Sequence, residues 1–278
     1  MRATAVAGSF YPLESDALAT MVSDCLLRAK KYAKETSAYG GVCPHAGYQY
    51  SGTAAAVTYS SIKEMKTAHT IVVIGPNHSG SGSLLSLSLE DWETPLGEIQ
   101  NNAELGKLIQ KNAKYLDFDE NAHMMEHSVE VQLPFIQVLN PKARIVPICM
   151  MDQGIEASAD LGKALFNAIS GYNRSVIVIA SSDFSHYVPP ETAKKNDMAA
   201  VSFIAGLDPE GFQHRAIEHG WSICGHGPIA SVLEYVKRMK CGKGEMLYYT
   251  NSGENGGETD RVVGYASVVF PRKAANRK

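Results

Sequence analysis

Ile71-Val72-Val73-Ile74-Gly75-Pro76-Asn77-His78-Ser79-Gly80 is the stretch on which the fold turns. Four consecutive β-branched residues suit a strand buried on both faces, and Gly75-Pro76 stop it. A polar turn carrying a histidine follows. The same succession occurs twice more. Gly41 to Cys43 reads as a short strand that ends at Pro44 and opens into Pro44-His45-Ala46-Gly47-Tyr48. Val176 to Ala180 is another buried run, broken by Ser181-Ser182-Asp183-Phe184-Ser185-His186. In open α/β sheets, ligands gather outside the carboxyl ends of such strands.

Between these runs lie helical patterns. After Ser15, the apolar residues Leu18, Met21, Val22, Cys25, Leu26 and Ala29 keep the spacing of one helix face. Ser51 is expected to cap an Ala-rich helix, and Asn102 to Ala113, Glu156 to Ile169 and Pro228 to Met239 read as further helices. Arg144 to Cys149 reads as a strand. Leu85, Leu87 and Leu89 alternate with polar residues like a half-buried strand, and Val262 to Phe270 closes the chain as another. Short apolar runs alternating with helices predict a single α/β domain with a mostly parallel, helix-covered sheet and mixed edges. It is expected to span residues 1–271, with a short basic tail over 272–278.

The 278 residues are 45% hydrophobic, enough for a large core. Lys plus Arg total 26 against 29 Asp plus Glu, a formal net charge of -3, which supports neither a nucleic-acid nor an anionic-membrane surface. No apolar stretch approaches the roughly 18 residues of a membrane span, and Met1 to Tyr11 lacks the pattern of a secretory signal. The five cysteines are scattered, with no CxxC pair, which predicts a reducing, cytoplasmic setting.

His45, His78 and His186 each stand within a few residues of the end of a buried strand. Any one alone reads as an ordinary hydrogen-bonding histidine. Three in one topological position favour a converging transition-metal site. Cys224, in Ser222-Ile223-Cys224-Gly225-His226-Gly227-Pro228, precedes a helix whose N-terminus would favour its thiolate; a small residue packed in a turn is an equal reading. Cys25 and Cys149 belong on apolar faces, Cys43 is expected beneath the site and Cys241 in solvent. His123 and His127 are four apart, so one helical turn could present both as a metal pair. A proton-carrying or substrate-contacting role for His127 is preferred. His123, His69, His214 and His219 are expected to be exposed, and His226 stays open. Glu126 and Glu130 read as capping or salt-bridge residues.

Seven segments together resemble the Memo family. These are Ala5 to Pro12, Pro44 to Gly52, Gly75 to Gly80, Thr94-Pro95-Leu96-Gly97, Glu126 to Phe135, Ser182 to Tyr187 and the Cys224 loop. More distantly, the family is similar to class III extradiol ring-cleaving dioxygenases of the LigB type. That similarity implies a LigB-like fold, with His45 and His78 as iron ligands, His186 as the catalytic acid/base and His127 lining the substrate pocket. Cys224 falls where the dioxygenases place a carboxylate, and Asp183 resembles an additional Memo-type feature near the metal. The resemblance points to Fe(II). A thiolate in place of the carboxylate shifts preference towards copper or zinc. The implied activity is oxygenase-like redox chemistry on a small aromatic or related molecule. The alternatives are a non-enzymatic metal-binding or ligand-recognition protein that keeps the pocket and, further behind, zinc-dependent hydrolysis. The resemblance also suggests a radical-SAM protein as partner.

Overall fold

The β-branched runs at residues 71–74 and 176–180 lie side by side at the centre of one eight-stranded sheet. In the computed structural model, which describes residues 1–273, the chain starts with α1 (Ser15–Ala29), β1 (Ala38–Cys43), α2 (Tyr48–Ser61) and β2 (Thr70–Pro76). Next come β3 (Leu85–Leu87), a hairpin of β4 (Trp92–Thr94) and β5 (Gly97–Ile99), α3 (Ala103–Asn112), β6 (Leu116–Phe118), α4 (Asn121–Met124) and α5 (Leu133–Leu139). The second half runs β7 (Arg144–Met150), α6 (Ile155–Ser170), β8 (Val176–Ser181), α7 (Pro190–Gly206), α8 (Pro209–Glu218), α9 (His226–Arg238), β9 (Glu245–Asn251) and β10 (Gly264–Pro271).

The strand order is β6-β3-β7-β2-β8-β1-β10-β9. The central four, β7, β2, β8 and β1, are mutually parallel. Antiparallel pairing enters towards both sides, where β3 meets β7 and where β10 lies between β1 and β9. The expected single-domain α/β architecture, with a mixed and mostly parallel sheet, is the one observed. Pleating divides each central strand between two cores. Val72 and Ile74 pack with α3, α6 and α9, while Ile71 and Val73 pack with α1, α2 and α5. Complete burial of side chains of this kind contributes about 1.5–3 kcal/mol each. Among the described residues, no helix is long and apolar enough to cross a membrane.

Several local expectations are corrected. Gly47, not Ser51, begins α2: the N–H of Tyr48 is taken by the carbonyl of Phe10, and Ser51 lies one turn in, its hydroxyl donating to the carbonyl of Ala46. The Leu-Ser alternation stops at Leu87 and is not half-buried, because β3 runs between β6 and β7 with Leu85, Ser86 and Leu87 all covered. Cys241 is buried, its Sγ 3.1 Å from the carbonyl of Pro271 at the end of β10, since the chain turns inward after α9 to start β9. Arg272, the first residue of the basic segment, bonds the carbonyl of Ala38 and stacks on Tyr39. Residues 274–278 of that segment lie outside the described residues.

Candidate metal centre

Adjacency of β2, β8 and β1 in the sheet brings three loops to one edge, since parallel neighbours end together. Cys43 and Ser181 are paired in register at the ends of β1 and β8, so the loops of His45 and of Asp183 and His186 leave side by side. His78 follows β2 one strand over. Close approach is written into Gly75: a Cβ there would lie 2.2 Å from the hydroxyl of Ser128, so only glycine lets the 126–128 segment pack on the end of β2.

That segment supplies a histidine that the strand-end pattern alone does not include. One side-chain donor atom each from His45, His78 and His127 forms a group within 4.8 Å of one another, and their ring centroids are 4.5–5.4 Å apart. His45 is buried, His127 half-buried and His78 the most exposed of the three. Glu126 organises the pair at the mouth. One carboxylate oxygen lies 2.9 Å from His78 Nδ1 and accepts the backbone N–H of His127 and Ser128, and the other accepts the N–H of His78. A carboxylate on Nδ1 fixes the tautomer that leaves Nε2 free for a metal. Burial pushes the Glu126 carboxyl up, but the hydrogen bond from His78 and those from the backbone outweigh it and hold it well below the usual range. Burial lowers His127 to about 4, and burial together with its two histidine neighbours lowers His45 well below its usual value. Both therefore remain neutral near pH 7, the form in which imidazole ligates metals.

Cys224 stands beside this group rather than within it, its Sγ 3.3 Å from His45 Nε2 and 3.2 Å from the N–H of Asp183. It precedes α9 as expected, yet its thiol is not favoured as thiolate. Burial, and then the nearby Asp183 carboxylate, push it well above its usual value and outweigh the hydrogen bonds from the Asp183 backbone and Ser182. Asp183 is also buried and outside the group. One of its oxygens accepts the backbone N–H of His45, so it fixes the loop that carries a candidate ligand, and burial raises its own carboxyl.

His186 lines the cavity over these residues, and its orientation is set by backbone. Nδ1 lies 2.7 Å from the carbonyls of both Phe184 and Ser222, which can only accept, so Nδ1 carries a proton and Nε2 is the nitrogen open to proton exchange. Its loop is braced from behind by Asp197 of α7, which accepts from the N–H and hydroxyl of Ser185 and from Tyr249. The cavity holds about 500 Å³, with Phe10, Tyr50 and Tyr265 as aromatic wall and Glu258 and Arg261 as further charged lining. Phe10 packs on His127 at 4.6 Å between centroids. Arg261 donates to the carbonyl of Tyr187 and, among the described residues, is the only Lys or Arg in the lining. Residues 252–263, five of which line the cavity, form a Gly- and charge-rich stretch whose composition reads only as a surface loop.

His123 is a correction. It is fully buried, neither ring nitrogen has a partner in the structure, and its ring meets Trp92 edge-on. It lies outside the histidine group, so it does not pair with His127. His214 and His219 are exposed as expected, whereas His69 is only half-exposed, its N–H and ring engaged by Ser175 and Thr70. His226 is half-buried and outside the cavity lining. Glu130 is the ion-pair residue expected, joined to Arg2.

A helix-flanked parallel sheet with histidines from neighbouring strand-end loops in one cavity defines an α/β protein with a metal-competent pocket. The chain belongs to the Memo-like protein family, whose model matches residues 2–269. It is 41% identical over 270 residues to a MEMO1 family protein of Methanosarcina barkeri, covering 97% of this chain and 99% of the relative. Identity is 38% over 280 residues with a relative from Methanopyrus kandleri (98% and 99% covered) and 40% over 281 residues with one from Pyrobaculum arsenaticum (98% and 99%). Both are also named MEMO1 family proteins.

Proposed function

We propose that this protein holds one redox-active metal ion, Fe(II) by the resemblance, and uses it on a small molecule bound in the histidine-lined cavity. The observation that carries this is the histidine group itself: three imidazoles from separate loops, at least one with its Nδ1 engaged by a carboxylate, lining a cavity of metabolite size. The donor set fits a transition metal. His45 and His78 are common to two possible sets. His127 completes the one in which the nitrogens are already gathered; Cys224 completes one that needs its thiol proton displaced.

A bound metal of this kind supplies electron transfer to whatever occupies the cavity. The chain's own residues do the rest. Phe10, Tyr50 and Tyr265 exclude water from a flat apolar body. His186 Nε2 is the base left open to receive a substrate proton, a contribution typically of about 10²–10⁴-fold in rate. Arg261 in the lining suits an acidic group on the bound molecule. A second reading, a metal- or ligand-binding protein without turnover, is favoured by one observation: a thiol kept protonated by burial stands where the dioxygenases place a carboxylate.

Anaerobic purification with elemental analysis, followed by oxygen uptake with catechols, separates the two. Iron with substrate-dependent uptake supports the enzyme, and copper or zinc without turnover supports the binding protein. His45→Ala and His78→Ala are each expected to lose most of the metal. Full occupancy in both variants would place the ligands elsewhere. His127→Gln against Cys224→Ser then identifies the third donor.

A further inference from the structure

We propose that a buried hydroxyl relay through Ser181, enforced by Gln132, fixes the tautomer of His45 so that its Nε2 lone pair is presented to the site. Its bearing on a metal rests on the reading above; the relay itself does not. His45, Ser128, Gln132, Ser181 and Tyr59 are all essentially inaccessible to water, so their protons must be shared among themselves and the carbonyls beside them.

Gln132 comes first. Its amide nitrogen lies 2.9 Å from the carbonyl of Pro44, which can only accept, so that end must be the NH₂; the opposite oxygen accepts from the Tyr59 hydroxyl at 3.0 Å. The second amide proton is then directed at Ser181 Oγ, 2.8 Å away. Ser181 has one proton and two lone pairs. It sits 2.6 Å from the carbonyl of Ser128, another group that only accepts, and two oxygens at that distance without a proton between them would repel. The Ser181 proton therefore goes to Ser128, and one lone pair is taken by Gln132. What remains facing His45 Nδ1, at 2.9 Å, is an acceptor. Nδ1 must donate, and Nε2, 3.3 Å from the Cys224 sulfur, is left with its lone pair on the site side.

Ser181 and Gln132 are thus positioning residues. The relay also ties the end of β8 to Ser128, next to His127, so two of the three histidines are located by one hydroxyl. The test uses metal-free, ¹⁵N-histidine-labelled protein and long-range ¹H–¹⁵N correlation spectra, with the His45 signals assigned from their loss in His45→Gln. The expected result is a proton on Nδ1 and none on Nε2. In Ser181→Ala the Nε2–H form should become populated, and Zn(II) affinity, measured by chelator competition, should fall by about ten- to a hundredfold. A wild-type ring protonated on Nε2 overturns the relay, whether or not the variant folds. So does Ser181→Ala with unchanged tautomer and unchanged affinity. A wild-type protein that shows the Nδ1–H ring but takes no metal leaves the relay standing and removes the metal reading alone.

Discussion

His123 shows how far one side chain's surroundings can depart from its neighbours in sequence. It lies between Ala122 and Met124; Ala122 is fully buried, while Met124 and Met125 are among the most exposed apolar residues. Its ring is enclosed beside Trp92, and burial, then the nearby Arg2 guanidinium, lower it to about 4. Between pH 4 and 6.5 the unfolded chain binds a proton that the folded chain refuses. Stability is therefore complete above pH 6.5 and falls as the pH drops towards 4, by up to roughly 3 kcal/mol from this residue. Urea midpoints measured at pH 7.5 and 5 should separate more in the wild type than in His123→Leu, which has no proton to take up. Equal separation in the two proteins would show that His123 takes up its proton in the folded chain as readily as in the unfolded one.

At the scale of elements, the segment before α1 behaves as a strap. Arg2 pairs with Glu130, donates through Nε to the carbonyl of His123 and through Nη2 to that of Glu126, and lies 4.3 Å over Trp92. Glu130 also accepts the N–H groups of Ala5 and Val6 and the hydroxyl of Tyr11. Every oxygen of a fully buried carboxylate is thereby used, which is what keeps a buried charge tolerable. Residues 2–11 are in this way fastened to the 123–130 segment that presents Glu126 and His127. Arg2→Met leaves Glu130 charged and unpaired inside the protein, a change that typically costs about 3–5 kcal/mol. Chemical denaturation of that variant should show it; a loss under about 1 kcal/mol would mean that water or a rearranged arm replaces the guanidinium.

For the whole molecule, the histidines approach one another only after β1, β2 and β8 have paired and the 123–130 segment has docked. A metal that needs all of them binds the folded chain and not the unfolded one, so its binding free energy adds to stability. At a free metal concentration a hundred times its dissociation constant, the gain is about 2.7 kcal/mol, a rise in melting temperature of roughly 5–10 °C for a domain of this size class. Calorimetry of the metal-loaded and chelator-treated protein should show that rise, and the His45→Ala/His78→Ala double variant should show none. Identical melting curves for loaded and stripped wild-type protein would count against the site.

Local pattern was enough for the central strands of the sheet and for the histidine-bearing loops at their ends. A run such as Ile71-Val72-Val73-Ile74 has few alternatives to a strand covered on both faces, and a polar loop after it falls at a strand's carboxyl end wherever that strand sits in the order. His45, His78, Asp183 and His186 were legible for this reason, and the family followed from these loops together with four further segments. What the order of strands decided was which loops meet. The resemblance put His127 in the substrate pocket, but no local pattern brings its ring into one donor group with His45 and His78, because the packing of Ser128 on Gly75 crosses some fifty residues. The bonds from Ser181 to Ser128 and from Gln132 to Pro44 likewise join groups 53 and 88 residues apart. Burial of His123, Cys241 and the Cys224 thiol belongs to the same class. The protonation of a side chain depends on which distant groups exclude water from it and accept its hydrogens, and that is a property of the folded chain alone.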